Sequence, residues 1–162
     1  MTHSFRQATR QDVSLILDFI KGIAHYEKMN NEVIATEQLL ETELFDKSRA
    51  EVVFVLEGEK EVGFALFFHN FSTFVGRAGL YLEDLFVLPE YRGKGYGKAL
   101  FIELVRIALE RHCGRMEWVC LNWNTPSINF YKSLGAIALN EWSTYRLNED
   151  AMRILTQHSL RT

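Results

Sequence analysis

Residues 92–98 read Arg-Gly-Lys-Gly-Tyr-Gly-Lys, with glycine at every second position and cations among them. Glycine loses more conformational freedom on folding than any other residue, so three at this spacing need a reason. They let a backbone come close to an anion. Shortly upstream, Glu83 and Asp84 stand side by side within the apolar run "YLEDLFVL". Charges in such a run are costly without a partner, which favours a site over a structural role. Adjacent strand residues point to opposite faces, so only one of the two looks at a given site unless the strand is bulged.

The glycine loop fails two nucleotide-binding patterns. A Walker A loop needs glycine five residues before its Gly-Lys pair and Ser or Thr after it, but Arg92 and Ala99 stand there. A dinucleotide fingerprint needs glycine where Lys98 is, and an early βαβ unit, whereas this loop follows an antiparallel hairpin. What remains is a strand, a bend at Pro89 and amides converging on a helix start. The positive end of a helix dipole adds to those amides, and Arg92, Lys94 and Lys98 supply charge at the rim. This describes a pyrophosphate cradle that uses no metal. The plainer alternative is a glycine-rich turn with solvated lysines.

The elements that must position these groups follow from periodicity. A strand over 4–7 leads to Thr9, which opens a helix with Asp12 as its capping partner. Val13, Ile16, Leu17, Ile20 and Ile23 recur at helical spacing, and the helix ends near Glu27. Residues 30–32 read as loop, and Thr36 caps a second helix carrying Leu39, Leu40, Leu44 and Phe45. Strands over 51–56 and 62–69 form a hairpin, 71–79 is a loop, and 80–88 is the strand that carries Glu83. A long helix over 96–112, a strand over 116–121 and a helix over 125–134 stopped by Gly135 come next. Short strands over 137–139 and 144–147 and a helix over 150–157 complete the chain. The order predicts an α/β (α+β) domain with most strands in one mixed sheet.

Composition bounds the reading further. The 162 residues suit one domain, and two prolines and ten glycines leave no room for a flexible linker. A net charge of −3 and a pI near 6.0 argue against a nucleic-acid or anionic-membrane partner. No apolar stretch is long enough to span a bilayer, and the first residues lack the apolar core of a signal peptide. Cys113 and Cys120 lack metal-ligand spacing and read as free thiols in a reducing, cytoplasmic setting.

The segment Arg92–Gly97 resembles the Arg/Gln-x-x-Gly-x-Gly/Ala signature of the GNAT N-acetyltransferases, which binds the pyrophosphate of acetyl-CoA. The blocks "YLEDLFVLPEYRGKGYG", "NWNTPSINFYKSLGA" and "RQATRQDVSLILDFIKGIAHYEK" resemble those of the spermidine/spermine acetyltransferase group, which includes thialysine acetyltransferases. The resemblance implies a single GNAT domain over 1–162. Its mixed, mostly antiparallel sheet would hold acetyl-CoA in a splay between two strands. It places Leu85, Phe86 and Val87 along the pantetheine arm, and Arg92, Gly93, Lys94, Gly95, Tyr96, Gly97 and Lys98 at the pyrophosphate. Asn124 and Asn129 become polar contacts to the cofactor. Tyr131 becomes the acid that protonates the leaving sulfur, which a phenol of pKa about 10 can do at neutral pH.

By the same resemblance Glu83 is the general base toward the acceptor amine, acting through water, and Asp84 helps hold a cationic substrate. A base is needed because an alkylammonium of pKa about 10.4 is almost wholly protonated at pH 7. Tyr26 and Glu27 match the group's substrate-side stretch, and with Glu83 and Asp84 they favour a substrate with two positive charges. Glu141 and Trp142 are candidates to close the far end of the site. A strand cysteine such as Cys120 is better read as core than as an acyl carrier.

The implied activity is acetyl transfer to a primary amine of a small polyamine or diamine, with no resident metal. The implied assembly is a homodimer. His25, Lys28, Asn30 and Phe74 depart from the polyamine enzymes and keep a thialysine- or lysine-like substrate open. The carboxylate of such a substrate would need Lys28 or Arg77. A module that binds acyl-CoA without catalysis is the alternative of another class.

Overall fold

The protein was analysed as a computed structural model that describes residues 3–159. Five strands form one sheet in the order β1-β2-β3-β4-β5: β1 (His3–Gln7), β2 (Glu51–Glu57), β3 (Lys60–Ser72), β4 (Arg77–Val87) and β5 (Met116–Glu117). The first four pair antiparallel, and β5 joins β4 in parallel. The described chain falls into two compact units, residues 3–119 and 120–159.

In the first unit the valine-rich β2 is buried over its central residues, as a strand covered on both faces must be. Helix α1 (Val13–Tyr26) lays Ile16 and Phe19 on one face of the sheet. The Phe19 ring stacks on Phe64 at 5.0 Å and meets Phe54 and Phe86 at 6.0 and 6.2 Å. Helix α3 (Tyr96–Glu110) buries Leu100, Leu104 and Ile107 on the same 3.6-residue stripe.

The entry to α1 is held from three sides. Asp12 accepts from the Thr9 amide at 2.7 Å, and Arg6 donates to both Asp12 (2.8 Å) and Glu61 (2.6 Å). The Arg6 guanidinium is the main cause holding the Asp12 carboxyl down at about 2. Strand β1, the start of α1 and the β2–β3 turn are thereby tied together.

Several boundaries differ from the sequence expectation. Residues 71–79 are mostly strand, because Phe71 and Ser72 pair with Ala78 and Arg77. Pairing to a register partner outweighs the polar composition there, and only four residues remain as the turn. The second helix is α2 (Glu37–Leu40) continuing as π-helical turns over Glu41–Asp46, and residues 30–32 form a 3-10 turn. The predicted strand 116–121 pairs only at Met116 and Glu117.

In the second unit the expected strands 137–139 and 144–147 do not form. Helix α4 (Thr125–Ser133) starts at Asn124, whose side chain accepts from the Ser127 amide at 3.4 Å. Helix α5 (Glu149–Ser159) starts at Asn148, which accepts from the Ala151 amide at 2.9 Å. Among the described residues no helix is long and apolar enough to cross a membrane.

Candidate active site

The glycine loop runs from the end of β4, through a 3-10 turn at Pro89–Tyr91, into the N-terminus of α3. Gly93 and Gly95 have φ of +75° and +90°, a region that penalises a Cβ, and open space surrounds both. Glycine is required here for backbone conformation, and the same absence of side chains leaves room for a ligand. Gly97 is different: a Cβ there would make ordinary contact with Val87 and Leu85. The first i→i−4 bond of α3 runs from Ala99 to Gly95 at 2.9 Å. The amides of Tyr96, Gly97 and Lys98 therefore lie ahead of the helix ladder, as an anion site at a helix start requires.

The side chains of this loop do not all serve the cradle. Tyr96 is buried, and its hydroxyl donates to Glu57, a bond that raises the phenol to about 12. Its part in a cofactor site is confined to its backbone. Lys94 lies over the Tyr91 ring at 4.7 Å, and Lys60 lies over the same ring at 4.9 Å. Arg92 departs most from expectation. Its Nε donates to the Val87 carbonyl at 2.9 Å, and its guanidinium lies 5.0 Å from the Tyr26 ring and 5.1 Å from Phe86. The Arg92 head is thus turned toward the α1 face of the sheet.

The β4–β5 ladder stops after Leu80–Met116 and Tyr81–Glu117, while β4 runs on to Val87. Leu85 is half-buried along this stretch, and Phe86 and Val87 are buried. Phe86 belongs to the core beneath α1, where a Cβ on Gly22 would come within 2.9 Å of its ring. Any contact from Phe86 or Val87 to a pantetheine arm falls to the backbone.

A bulge resolves the question raised by the adjacent acids. Phe67 pairs with Leu82 and Leu66 with Asp84, so Glu83 is the extra residue in β4. Leu66 packs into the core under α1, which puts Asp84 on the α1 face. Leu85 meets the start of α3 on the other face. Leu82, paired with Phe67, lies on that other face too, where Arg111 of the α3 end covers Phe67. Glu83 and Asp84 therefore share the α1 face. Two successive polar residues in an alternating apolar strand were the sequence signal for this bulge.

Glu27, one residue past the end of α1, completes a trio. Asp84 is half-buried, and its carboxyl is pushed up to about 7, first by burial, then by the charges of Glu83 and Glu27. Burial also raises the Glu27 carboxyl. Among the described residues the side chains of Asp84, Glu83 and Glu27 make no hydrogen bond or ion pair. Three carboxylates gathered in this way, two of whose charges bear on Asp84, are arranged to receive cations.

A cavity of about 520 Å³ lies between α1 and the end of β4. Phe19, Gly22, Tyr26 and Phe86 form its α1 and sheet walls, with Leu88 and Arg92 at the loop.

In the second unit, Tyr131 is half-buried on α4, with its ring 5.3 Å from Phe130. Asn129 is exposed on the same helix, whereas Asn124 is buried and caps it. Asn124 has a structural task that motif reading alone did not show. Glu141 and Trp142 are exposed.

Comparison with known proteins bears on the family and the fold. Residues 20–136 match the acetyltransferase (GNAT) family. The chain is 35% identical to a thialysine N-epsilon-acetyltransferase of Bos taurus, over 93% of this chain and 95% of that protein. It is 30% identical to an L-ornithine N5-acetyltransferase of Arabidopsis thaliana, over 96% and 88%. It is 30% identical to a human spermidine/spermine N(1)-acetyltransferase-like protein, over 91% of this chain and 23% of that one. Among solved structures, an integron cassette protein from the mobile metagenome of V. cholerae superposes with a TM-score of 0.80 at 28% identity, covering 97% and 99%. With a family match over residues 20–136, most of its length, this chain belongs to the GNAT acetyltransferase family.

Proposed function

We propose that the protein transfers an acetyl group from acetyl-CoA directly to a primary amine of a small cationic substrate. The carrying observation is the bulge that turns Glu83 and Asp84 to one face, beside Glu27. Three carboxylates there attract a substrate with two positive charges, as diamines and polyamines have. The similarity to thialysine and ornithine acetyltransferases favours a second reading, a diamino acid acetylated on its side-chain amine.

In either case Glu83, the exposed member of the trio, takes up the amine proton through water. Amides of the splayed stretch after Asp84 bind the thioester oxygen, and Tyr131 protonates the departing thiolate. The loop amides from Gly93 to Lys98 hold the pyrophosphate, with Lys94 and Lys98 at its rim. The protein works without a resident metal. The family match spans both compact units, which supports one acetyltransferase domain.

The side chains of Ile137, Trp142 and Tyr145 are 80% or more exposed, and a homodimer would bury such surface. Cys113 and Cys120 form no disulfide, which fits a cytoplasmic setting, and the net charge of −3 speaks against nucleic acid or an anionic membrane as partner.

The test is thiol release from acetyl-CoA with spermidine, spermine, putrescine, thialysine, lysine, ornithine and an amine-free control. Amine-dependent release is expected. Binding of acetyl-CoA with no release for any amine would leave a non-catalytic acyl-CoA-binding module instead.

A further inference from the structure

The glycine cradle does not use the Arg92 head, which faces α1. The guanidinium lies over two aromatic rings that wall the 520 Å³ cavity, Tyr26 from α1 and Phe86 from β4. Its Nε is committed to the Val87 carbonyl, which fixes its direction and leaves the two terminal nitrogens. Among the described residues no carboxylate forms an ion pair with it. The other charges of the cavity do not neutralise it. Glu61 is held by Arg6, and Lys60 donates to the Tyr91 hydroxyl at 3.1 Å. His25 adds no negative charge, and Asp18 lies two helical turns before Tyr26, about 12 Å along α1.

The acidic trio does not line this cavity but adjoins two residues that do, Tyr26 and Phe86. Glu27 follows Tyr26 in the chain, and Asp84 precedes Phe86 by two residues on one face of β4. Two strand residues span about 7 Å. Acids therefore stand next to Tyr26 and Phe86 in the chain, and the Arg92 cation lies over the same two rings.

We infer that Arg92 binds the carboxylate of an α-amino acid whose side-chain amine is held by Glu83, Asp84 and Glu27. The inference rests on the acetyltransferase reading above and selects, within it, the diamino acid over the polyamine. An extended lysine-type molecule separates its side-chain nitrogen from its carboxylate by about 8 Å, from standard bond lengths. That length is comparable with the strand step of about 7 Å from Asp84 to Phe86, whose ring the guanidinium covers at 5.1 Å. A planar guanidinium suits a carboxylate by paired hydrogen bonds. A polyamine would instead bring a cation to Arg92. The two other candidates for this task fit worse. Arg77 stands seven residues before Asp84, about 23 Å up the strand. Lys28 adjoins Glu27, at the end that receives the amine.

The test compares kcat/KM for L-lysine, thialysine and ornithine with that for L-lysinamide, cadaverine and putrescine, in wild type and in Arg92→Gln. Wild type is expected to favour lysine over lysinamide and cadaverine, and ornithine over putrescine, by about 10- to 100-fold, the range for a hydrogen-bonded charge. Arg92→Gln should bring those ratios close to one, and Arg92→Lys should restore them in part. Each ratio is taken within one enzyme at one acetyl-CoA concentration, so damage to the cofactor loop cancels. The wild-type comparison of lysine with lysinamide stands even if the variant fails to fold. Turnover with no carboxylate preference in wild type, or a preference unchanged in Arg92→Gln, overturns the inference and leaves the acetyltransferase reading intact. No thiol release with any amine overturns both.

Discussion

Residues 3–119 and 120–159 are built on different terms. Every buried apolar side chain among the described residues belongs to the first unit, from Val13 to Ala108. Among the described residues of the second unit the one buried side chain is Asn124, while Trp123, Ile137, Trp142, Tyr145 and Leu155 are exposed. The anion loop and the carboxylate trio thus rest on a sheet with its own core. The helix that carries Tyr131 has local caps at Asn124 but no core of its own. Groups that must hold a cofactor or substrate in fixed geometry gain from the rigid support. Helix α4 depends more on what else its exposed side chains meet.

The largest test of this contrast removes core. Phe64→Ala, at a fully buried ring stacked on Phe19, should cost about 3–5 kcal/mol in chemical denaturation. A cost under 1 kcal/mol would show that the first unit is not the independent core described.

In the second unit the strongest effect should appear in activity. Tyr131→Phe is expected to keep acetyl-CoA binding and lower kcat about 10²- to 10⁴-fold. Unchanged turnover across the pH range would remove Tyr131 as the acid.

A third test uses pH. The Asp84 carboxyl is raised in the folded protein, to about 7 from an ordinary 3.8. A raised group favours folding while protonated. Its contribution is complete below about pH 4 and is lost as pH rises toward 7. The slope is at most about 1.4 kcal/mol per pH unit for one proton. Asp84→Asn should flatten stability over that interval. An identical pH profile would mean that the acid trio is better solvated than the bulge geometry implies.

Smaller still, Gly95→Ala forces a Cβ onto φ +90° and should cost about 1–2 kcal/mol, with weaker acetyl-CoA binding. Full affinity would show that the loop adapts. Trp142→Ala, at an 80% exposed ring, should change the stability of the isolated chain by less than about 0.5 kcal/mol. A larger loss that depends on protein concentration would reveal that this surface is buried in an assembly.

The elements of the first unit were legible because apolar residues repeat at 3.6 along α1 and α3 and densely along β2 and β4. Those patterns reflect which faces must leave water. The four-residue turn between β3 and β4 was not legible, since pairing partners rather than composition extend those strands. The strands expected at 137–139 and 144–147 failed for the converse reason: apolar residues alone do not supply a register partner.

At the site, the sequence by itself determined the residue types. Alternating glycines before a helix imply amides free to meet an anion, and adjacent acids in an apolar strand imply a site that receives cations. Directions were decided only in three dimensions. The bulge at Glu83 put both acids on one face, the Val87 carbonyl turned Arg92 toward Tyr26 and Phe86, and Glu57 drew the Tyr96 hydroxyl into the interior. The physical reason is that backbone register and hydrogen bonds from distant strands set where a side chain points. Local spacing along the chain carries no record of those partners.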